Sequence, residues 1–250
     1  QSPYLIRSAH FVGCHQHQFI DRVDVLRFAR KGATLLLNCS YGPDEVWSHL
    51  PRTMQDQIID KGIRLFVIDA SQVARDTGMG NRTNTILQTC FFAISGVLPR
   101  DKALDKIKKA IEKTYGRKGK EVVRKNFEAV DQTVERLFEV KVPDKASGSK
   151  VNRPIVSDLA PDFVREFIAP MMDGKGDTLP VSAFPVDGTF PSGTSKWEKR
   201  NIADFVPVWD EQACIQCGNC SFVCPHAVIR TKLFHQDRLS TAPGGFKSAP

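Results

Sequence analysis

Residues 214–225 read Cys214-Ile215-Gln216-Cys217-Gly218-Asn219-Cys220-Ser221-Phe222-Val223-Cys224-Pro225, a C-x2-C-x2-C-x3-C-P run. No other stretch restricts the fold so tightly, because four thiols in eleven residues must wrap a metal, form disulfides or stay free. The spacing is that of bacterial iron–sulfur ligation. Short steps between Cys214, Cys217 and Cys220 let one loop offer three thiolates to three irons of a single 4Fe-4S cube. The longer step to Cys224, with Pro225 behind it, turns the fourth sulfur away, and in two-cluster ferredoxins that sulfur serves the other cluster. Zinc prefers ligand pairs separated by a longer loop, and no second pair exists here. Disulfides suit short secreted scaffolds. The run therefore predicts iron–sulfur ligation.

A two-cluster module needs a second C-x2-C-x2-C-x3-C run, and nothing after Cys224 supplies one. The sequence opens on Gln1-Ser2-Pro3 and closes in Thr241-Ala242-Pro243-Gly244-Gly245-Phe246, with no closing strand or helix in the pattern. The expectation is an internal piece of a longer polypeptide, holding three ligands for one cluster and one for another.

At 250 residues the chain has room for a core and a smaller module. Hydrophobic content of 41% and charged content of 25% are those of a soluble globular protein. No apolar run approaches the ~20 residues of a membrane helix, and no signal-peptide pattern stands at the start. Seven cysteines, four of them committed to a cluster, point to a reducing cytoplasm. The net charge of +7 and pI near 9.1 invite a nucleic-acid partner. Much of the excess lies between Lys102 and Lys125, however, mixed with Asp101, Asp105, Glu112 and Glu121 on amphipathic helices. A solvated face accounts for it, and no nucleic-acid motif or interleaved aromatic accompanies it. A positive surface can still steer an acidic redox partner or a polyanionic substrate.

Along the first 70 residues strand and helix patterns alternate. Phe11-Val12 begins a strand ending in Gly13-Cys14-His15, and Asp21–Arg30 reads as a helix with Val25, Leu26 and Phe28-Ala29 available for burial. Ala33–Cys39 is a continuous apolar strand followed by the turn Ser40-Tyr41-Gly42-Pro43. Pro43-Asp44-Glu45 suits a first helical turn. Pro51 resets the helix, Met54, Ile58 and Ile59 give it an apolar face, and Gly62 caps it. Ile63–Asp69 is the next strand. Apolar runs linked through helices predict an α/β fold whose parallel sheet is covered on both faces. Ligands of such sheets sit beyond the carboxyl ends of the strands, here Gly13 to His15, Asn38 to Ser40 and Asp69 to Ser71.

A turn of helix over Ser71–Thr77 leads to Gly78-Met79-Gly80-Asn81-Arg82-Thr83-Asn84. This is not a dinucleotide fingerprint, since it follows a helix and Thr83 stands where a third glycine belongs. It opens a helix with Leu87, Cys90, Phe91 and Ile94 on its buried face. Gly78, Gly80, Arg82 and Asn84 at a helix start make a phosphate-binding corner; a plain loop with an exposed Arg82 fits the same residues. Asp101–Tyr115 and Lys120–Val140 are two further helices, lined by Leu104, Ile107 and Ile111 and by Val123, Phe127, Val130, Val134 and Leu137. After Pro143 the chain is rich in Pro, Gly, Ser and Asp, with one short helix near Pro161–Phe167. It reads as an irregular linker module draped over its neighbours. Cys14, Cys39 and Cys90 sit in or beside apolar segments, where buried thiols are usual. Cys14, His15 and His17 would need a further ligand to hold a metal.

The order of these segments resembles the pyruvate:ferredoxin (flavodoxin) oxidoreductase family. The resemblance rests on Ala33–Asn38, Ile63–Asp69, Gly78–Asn84, Glu112–Gly116 and Lys118-Gly119. It continues through Phe190–Ala203, which is similar to the family's EKR segment, and Cys214–Ala227, similar to the first half of its inserted ferredoxin domain. The resemblance implies a gamma-type α/β domain over 1–142 associated with coenzyme A, a linker and EKR module over 143–205, and half of a two-cluster ferredoxin-like domain over 206–250. It implies conversion of pyruvate and CoA to acetyl-CoA and CO2, with electrons passed through 4Fe-4S clusters to ferredoxin or flavodoxin. Cys214, Cys217, Cys220 and Cys224 would be the metal ligands, and Gly78, Gly80, Arg82 and Asn84 the cofactor-binding residues. Thiamine pyrophosphate and Mg2+ would be held by parts of the enzyme outside this chain, the full-length enzyme would be a homodimer, and neither nucleic acid nor membrane is an implied partner. No catalytic residue is assigned within the chain. Two alternatives keep the same motifs: a stand-alone iron–sulfur electron-transfer module, or the same architecture acting on another 2-oxoacid.

Overall fold

Ala33–Cys39 and Ile63–Asp69 are apolar at nearly every position, and a pleated strand sends alternate side chains to opposite faces. Such runs need cover on both sides. In the computed structural model, which describes residues 6–198 and 206–249, they form adjacent parallel strands between helical layers. Strands β1 (Ala9–Cys14), β2 (Ala29–Asn38) and β3 (Arg64–Ile68) lie in that order. Leu35 pairs with Leu65, Leu36 with Phe66 and Leu37 with Val67.

Leu35, Leu37, Leu65 and Val67 face helices α1 (Val46–His49) and α2 (Arg52–Asp60); Val46 and Ile58 of these helices, with Leu50 between them, close that layer with Ile20 and Leu26. Leu36, Phe66 and Ile68 face α3 (Ala70–Asp76), α4 (Asn84–Ile94) and α6 (Lys120–Arg136) through Val73, Ile86, Leu87, Cys90 and Ala129. Helix α5 (Arg100–Tyr115) seats Ile107 and Ile111 against Val130 of α6. The α/β class, with its parallel sheet and flanking helices, is the one the sequence predicts.

Four elements differ from expectation. Asp21–Arg30 is not a helix: a 3-10 turn over His17–Asp21 gives way to turns, and β2 begins at Ala29. Leu26 and Ala29 are buried there, but Ala9 N donates to Phe28 O at 2.7 Å and Ala29 pairs with Ala9, so β1 takes up backbone that a helix would need. Phe28 is exposed, with Arg27 over its ring. Pro43-Asp44-Glu45 forms a turn ahead of α1 rather than its first turn. Helix α6 stops at Arg136 instead of Val140, and Phe138–Glu139 becomes β4, antiparallel to β3. The outer edge of β3 needs backbone partners; Val140 N donates to Leu65 O at 2.8 Å, and Arg64 Nε is 3.0 Å from Glu139 Oε1. Finally, the short helix after Pro161 runs on through a π turn (Val164–Ile168) into α7 (Ala169–Met172). Pro170 lacks an N–H and crowds the preceding turn, and a widened turn accommodates it.

The chain forms two compact units, Gln1–Ile202 and Ala203–Pro250. Residues 143–198 belong to the first, and Gln55 fastens them there. Fully buried in α2, Gln55 donates from Nε2 to Trp47 O at 2.6 Å, while its Oε1 accepts Ser147 N and Gly148 N, both at 2.9 Å. Further along, Arg52 N donates to Lys150 O (2.8 Å), Arg153 N to Asp21 O (2.7 Å) and Asn152 Nδ2 to Ile20 O (3.0 Å). A Cβ on Gly148 would meet Gln55 Nε2 at 2.7 Å. Gln55→Leu takes the acceptor from two strap amides and one donor from Trp47 O, so unfolding in urea should show a loss of about 2–4 kcal/mol. Limited proteolysis should then begin near residues 145–150; wild-type stability and an uncut strap would contradict the latch.

Candidate metal centre and anion corner

The cysteine loop owes its course to two residues in the left-handed region. Gln216 (φ 55°) and Gly218 (φ 73°) each turn the chain between successive cysteines. Only glycine takes such angles without cost, so the non-glycine Gln216 marks backbone held in an uncommon state. Gly218 caps the short helix α8 (Asn219–Val223), accepting from Ser221 N and Phe222 N at 3.1 Å. Gln216 N points at Cys214 Sγ, 3.4 Å away. The backbone N–H groups of Ile229, His226 and Val228 surround Cys224 and lower its thiol pKa below the usual range, because they favour the thiolate.

All four thiols are free; Cys217 and Cys220 are exposed and Cys214 and Cys224 half-exposed. Among the described residues no three His, Cys, Asp or Glu side chains converge as a metal site. The donor set nonetheless suits iron: accessible thiols on a turning loop, with backbone N–H groups aimed at two of the sulfurs.

The corner around Gly78 is built by α3 and α4. Gly78 (φ 67°) and Gly80 (φ 64°) turn the chain, while Met79 between them is buried and anchors the loop. Arg82 is exposed, and Asn84 is the first residue of α4. The structure adds a cation that the sequence did not reveal: a Cβ on Gly78 would lie 3.5 Å from Lys125 Nζ. Lys125 comes from α6 and is 3.9 Å from Glu121. No sequence signal joins positions this far apart.

A third feature lies at the carboxyl ends of β2 and β3, where a cavity of about 320 Å3 is lined by Ser40, Tyr41, Asp69, Gln72, Arg136 and Phe138, among others. Asn38 ties this end together, donating to His15 O (3.0 Å) and accepting Ala70 N (2.9 Å). Asp69 caps α3 by accepting Gln72 N at 2.8 Å. Arg136 is 2.5 Å from Asp76, and that contact, aided by Gln72, holds the Asp76 carboxyl below the usual carboxylate range. The sequence indicated the strand ends but neither Arg136 nor Phe138, which enter through the unforeseen end of α6 and β4.

The family described as pyruvate ferredoxin/flavodoxin oxidoreductase matches residues 1–136, more than half of the chain. The chain belongs to this family. An EKR domain, described as of unknown function, matches 149–203, and a 4Fe-4S binding domain matches 206–229, spanning all four loop cysteines. Lys199–Ala203 of the EKR stretch lie outside the described residues. A pyruvate-flavodoxin oxidoreductase of Rhodospirillum rubrum is 54% identical over 250 residues, covering 100% of this chain and 21% of the relative. That of Nostoc sp. is 53% identical over 255 residues (99% and 21%), and a pyruvate:ferredoxin oxidoreductase of Moorella thermoacetica 41% over 246 residues (98% and 21%). The chain thus spans about a fifth of the length of the curated relatives it matches. In family terms, the oxidoreductase match covers β1 through α6, and the EKR match begins one residue past the Gly148 amide held by Gln55. No described helix is long and apolar enough to cross a membrane.

The remaining cysteines of this family member contrast with the loop. Burial pushes the thiols of Cys14 and Cys39 up to about 11 and that of Cys90 to about 12. Folded protein stripped of metal and treated with iodoacetamide near pH 8 should therefore be alkylated at Cys214, Cys217, Cys220 and Cys224 only, as read by mass spectrometry. Modification of Cys90 without denaturant would contradict its burial. These folded-state values lie above the unfolded value near 9, so stability is intact below pH 9 and falls as pH rises toward 12. Cys14→Ser/Cys39→Ser/Cys90→Ala should flatten that decline in alkaline unfolding curves.

Proposed function

We propose that this chain is the part of a thiamine-dependent 2-oxoacid oxidoreductase that contacts coenzyme A and begins the outward electron path. The observation that carries the reading is the 53–54% identity to pyruvate-flavodoxin oxidoreductases, sustained over 99–100% of the chain and including the four-cysteine run. The whole reaction is pyruvate plus CoA giving acetyl-CoA, CO2, a proton and two electrons. Thiamine pyrophosphate and Mg2+, held by parts of the enzyme outside this chain, supply the carbon chemistry when bound.

This chain's residues bind and position. Cys214, Cys217 and Cys220 hold one 4Fe-4S cluster and Cys224 reaches another, and such clusters carry single electrons to flavodoxin or ferredoxin. Gly78 and Gly80 let the backbone approach a phosphate, Arg82 and the start of α4 at Asn84 attract it, and Lys125 adds a second positive charge beside Gly78. The three parts 1–142, 143–205 and 206–250 divide the work into coenzyme A association, connection and electron transfer. A cytoplasmic, homodimeric enzyme fits the free thiols and the family.

The full-length enzyme, kept anaerobic, should reduce flavodoxin only when pyruvate and CoA are both present; reduction with 2-oxoglutarate but not pyruvate would move the substrate class. Arg82→Ala should raise the KM for CoA roughly ten- to hundredfold with little change in the KM for pyruvate, as expected for loss of a charge-assisted phosphate contact. An unchanged KM for CoA would remove Arg82 from the site.

A further inference from the structure

The net charge of +7 is not spread along the chain. Residues 100–125 hold eleven Lys and Arg against four Asp and Glu, an excess equal to that of the entire chain, so all other residues balance. Helix α5 arranges much of this charge. Ala103, Ile107 and Ile111 are buried and fix its inward face. Lys102, Lys106, Lys109 and Lys113 recur at 4-3-4 spacing, within about 60° of one another on the helix and roughly opposite the buried face. All four are exposed. The stripe runs about 16 Å along the helix and continues into Arg117, Lys118 and Lys120, also exposed, in the turn that follows. Lys118 lies over the Tyr115 ring, 5.5 Å from its centre.

Neighbouring α6 shows what a merely solvated face looks like. There Arg124 sits between Glu121 (2.8 Å) and Glu128 (3.0 Å), and acids alternate with bases. On the α5 stripe only Lys109 has such a partner, Asp105 at 2.8 Å. Among the described residues, Lys102, Lys106, Lys113, Arg117 and Lys120 enter no ion pair. Like charges spaced three and four apart on a helix repel, and here that repulsion is left standing. The stripe is the outer face of a helix, and three cavities of about 310–390 Å3 in the same unit are lined by other residues.

We infer that the Lys102–Lys113 stripe and the Arg117–Lys120 turn form a docking surface for an acidic protein, namely the carrier that accepts the electrons. The carrier's identity rests on the proposed function; the acidity of the partner rests on the charge alone. Electrostatic docking of this kind raises association rates and weakens with salt.

The test uses the full-length enzyme, wild type and Lys102→Gln/Lys106→Gln/Lys113→Gln/Arg117→Gln. Oxidised flavodoxin, and separately ferredoxin, is titrated calorimetrically at low ionic strength and at physiological salt. Wild type should bind one carrier, less tightly as salt rises. The variant should bind roughly ten- to hundredfold more weakly with a flattened salt dependence, while its thermal midpoint and its pyruvate- and CoA-dependent reduction of methyl viologen stay unchanged. Wild-type affinity in the variant overturns the proposal, as does a wild-type enzyme that binds neither carrier. A higher KM for CoA with carrier affinity unchanged overturns it too, assigning the stripe to the coenzyme. Loss of thermal stability with unchanged carrier affinity overturns it in favour of a stripe covered by the remainder of the polypeptide. Carrier binding by a wild-type enzyme that cannot reduce methyl viologen from pyruvate would sustain the stripe and sink the proposed function instead.

Discussion

The structure depends on one alternation. Along β2 and β3, successive side chains leave the sheet on opposite faces, and both sets are apolar: Leu35 and Leu37 on one side, Leu36 on the other, each no more than 1% exposed. Burying each such leucine contributes on the order of 1.5–3 kcal/mol, and neither helical layer would have a surface to pack on without the pair of strands. A slip of one residue in register would exchange the two faces and undo both layers at once. The functional features hang from these layers. Helix α2 carries Gln55 to the strap, α3 and α4 present the Gly78 corner, and α6 delivers Lys125 and Arg136.

This dependence explains which parts were legible in the sequence. The strands were readable because Leu35–Leu37 and Leu65–Ile68 are apolar without interruption, a local signal that tertiary structure had only to accept. Asp21–Arg30 misled because Val25, Leu26 and Ala29 mimic helical spacing, whereas pairing with Ala9 of β1 draws Ala29 into the sheet. β4 was invisible: two residues carry no periodicity, and Phe138–Glu139 is a strand only because β3 offers it an edge. The Gln55 latch was equally hidden, since a glutamine in a helix announces nothing about amides some 92 residues later in the chain.

The candidate sites divide along the same line. The cysteine loop is written locally, every donor within eleven residues, and it stood out before any fold was known. The anion corner was half legible: its glycines, arginine and helix start are contiguous, but Lys125 arrives from another helix. The cavity at the strand ends was located by topology, while its residues from the end of α6 and β4 were not. The chain also keeps two kinds of cysteine apart. Cys14, Cys39 and Cys90 are buried, protonated packing groups, whereas the loop thiols are accessible and Cys224 is biased toward the thiolate form that metals bind.

The central claim is that the thiols of residues 214–224 are iron ligands serving electron transfer. Metal and acid-labile sulfide analysis of the anaerobically prepared full-length protein, wild type beside Cys217→Ser, tests it most directly. The account predicts iron and sulfide in equal amounts, with about one 4Fe-4S cluster's worth lost or altered in the variant. Stoichiometric zinc, disulfides within the loop, or an iron and sulfide content untouched by the substitution would contradict it.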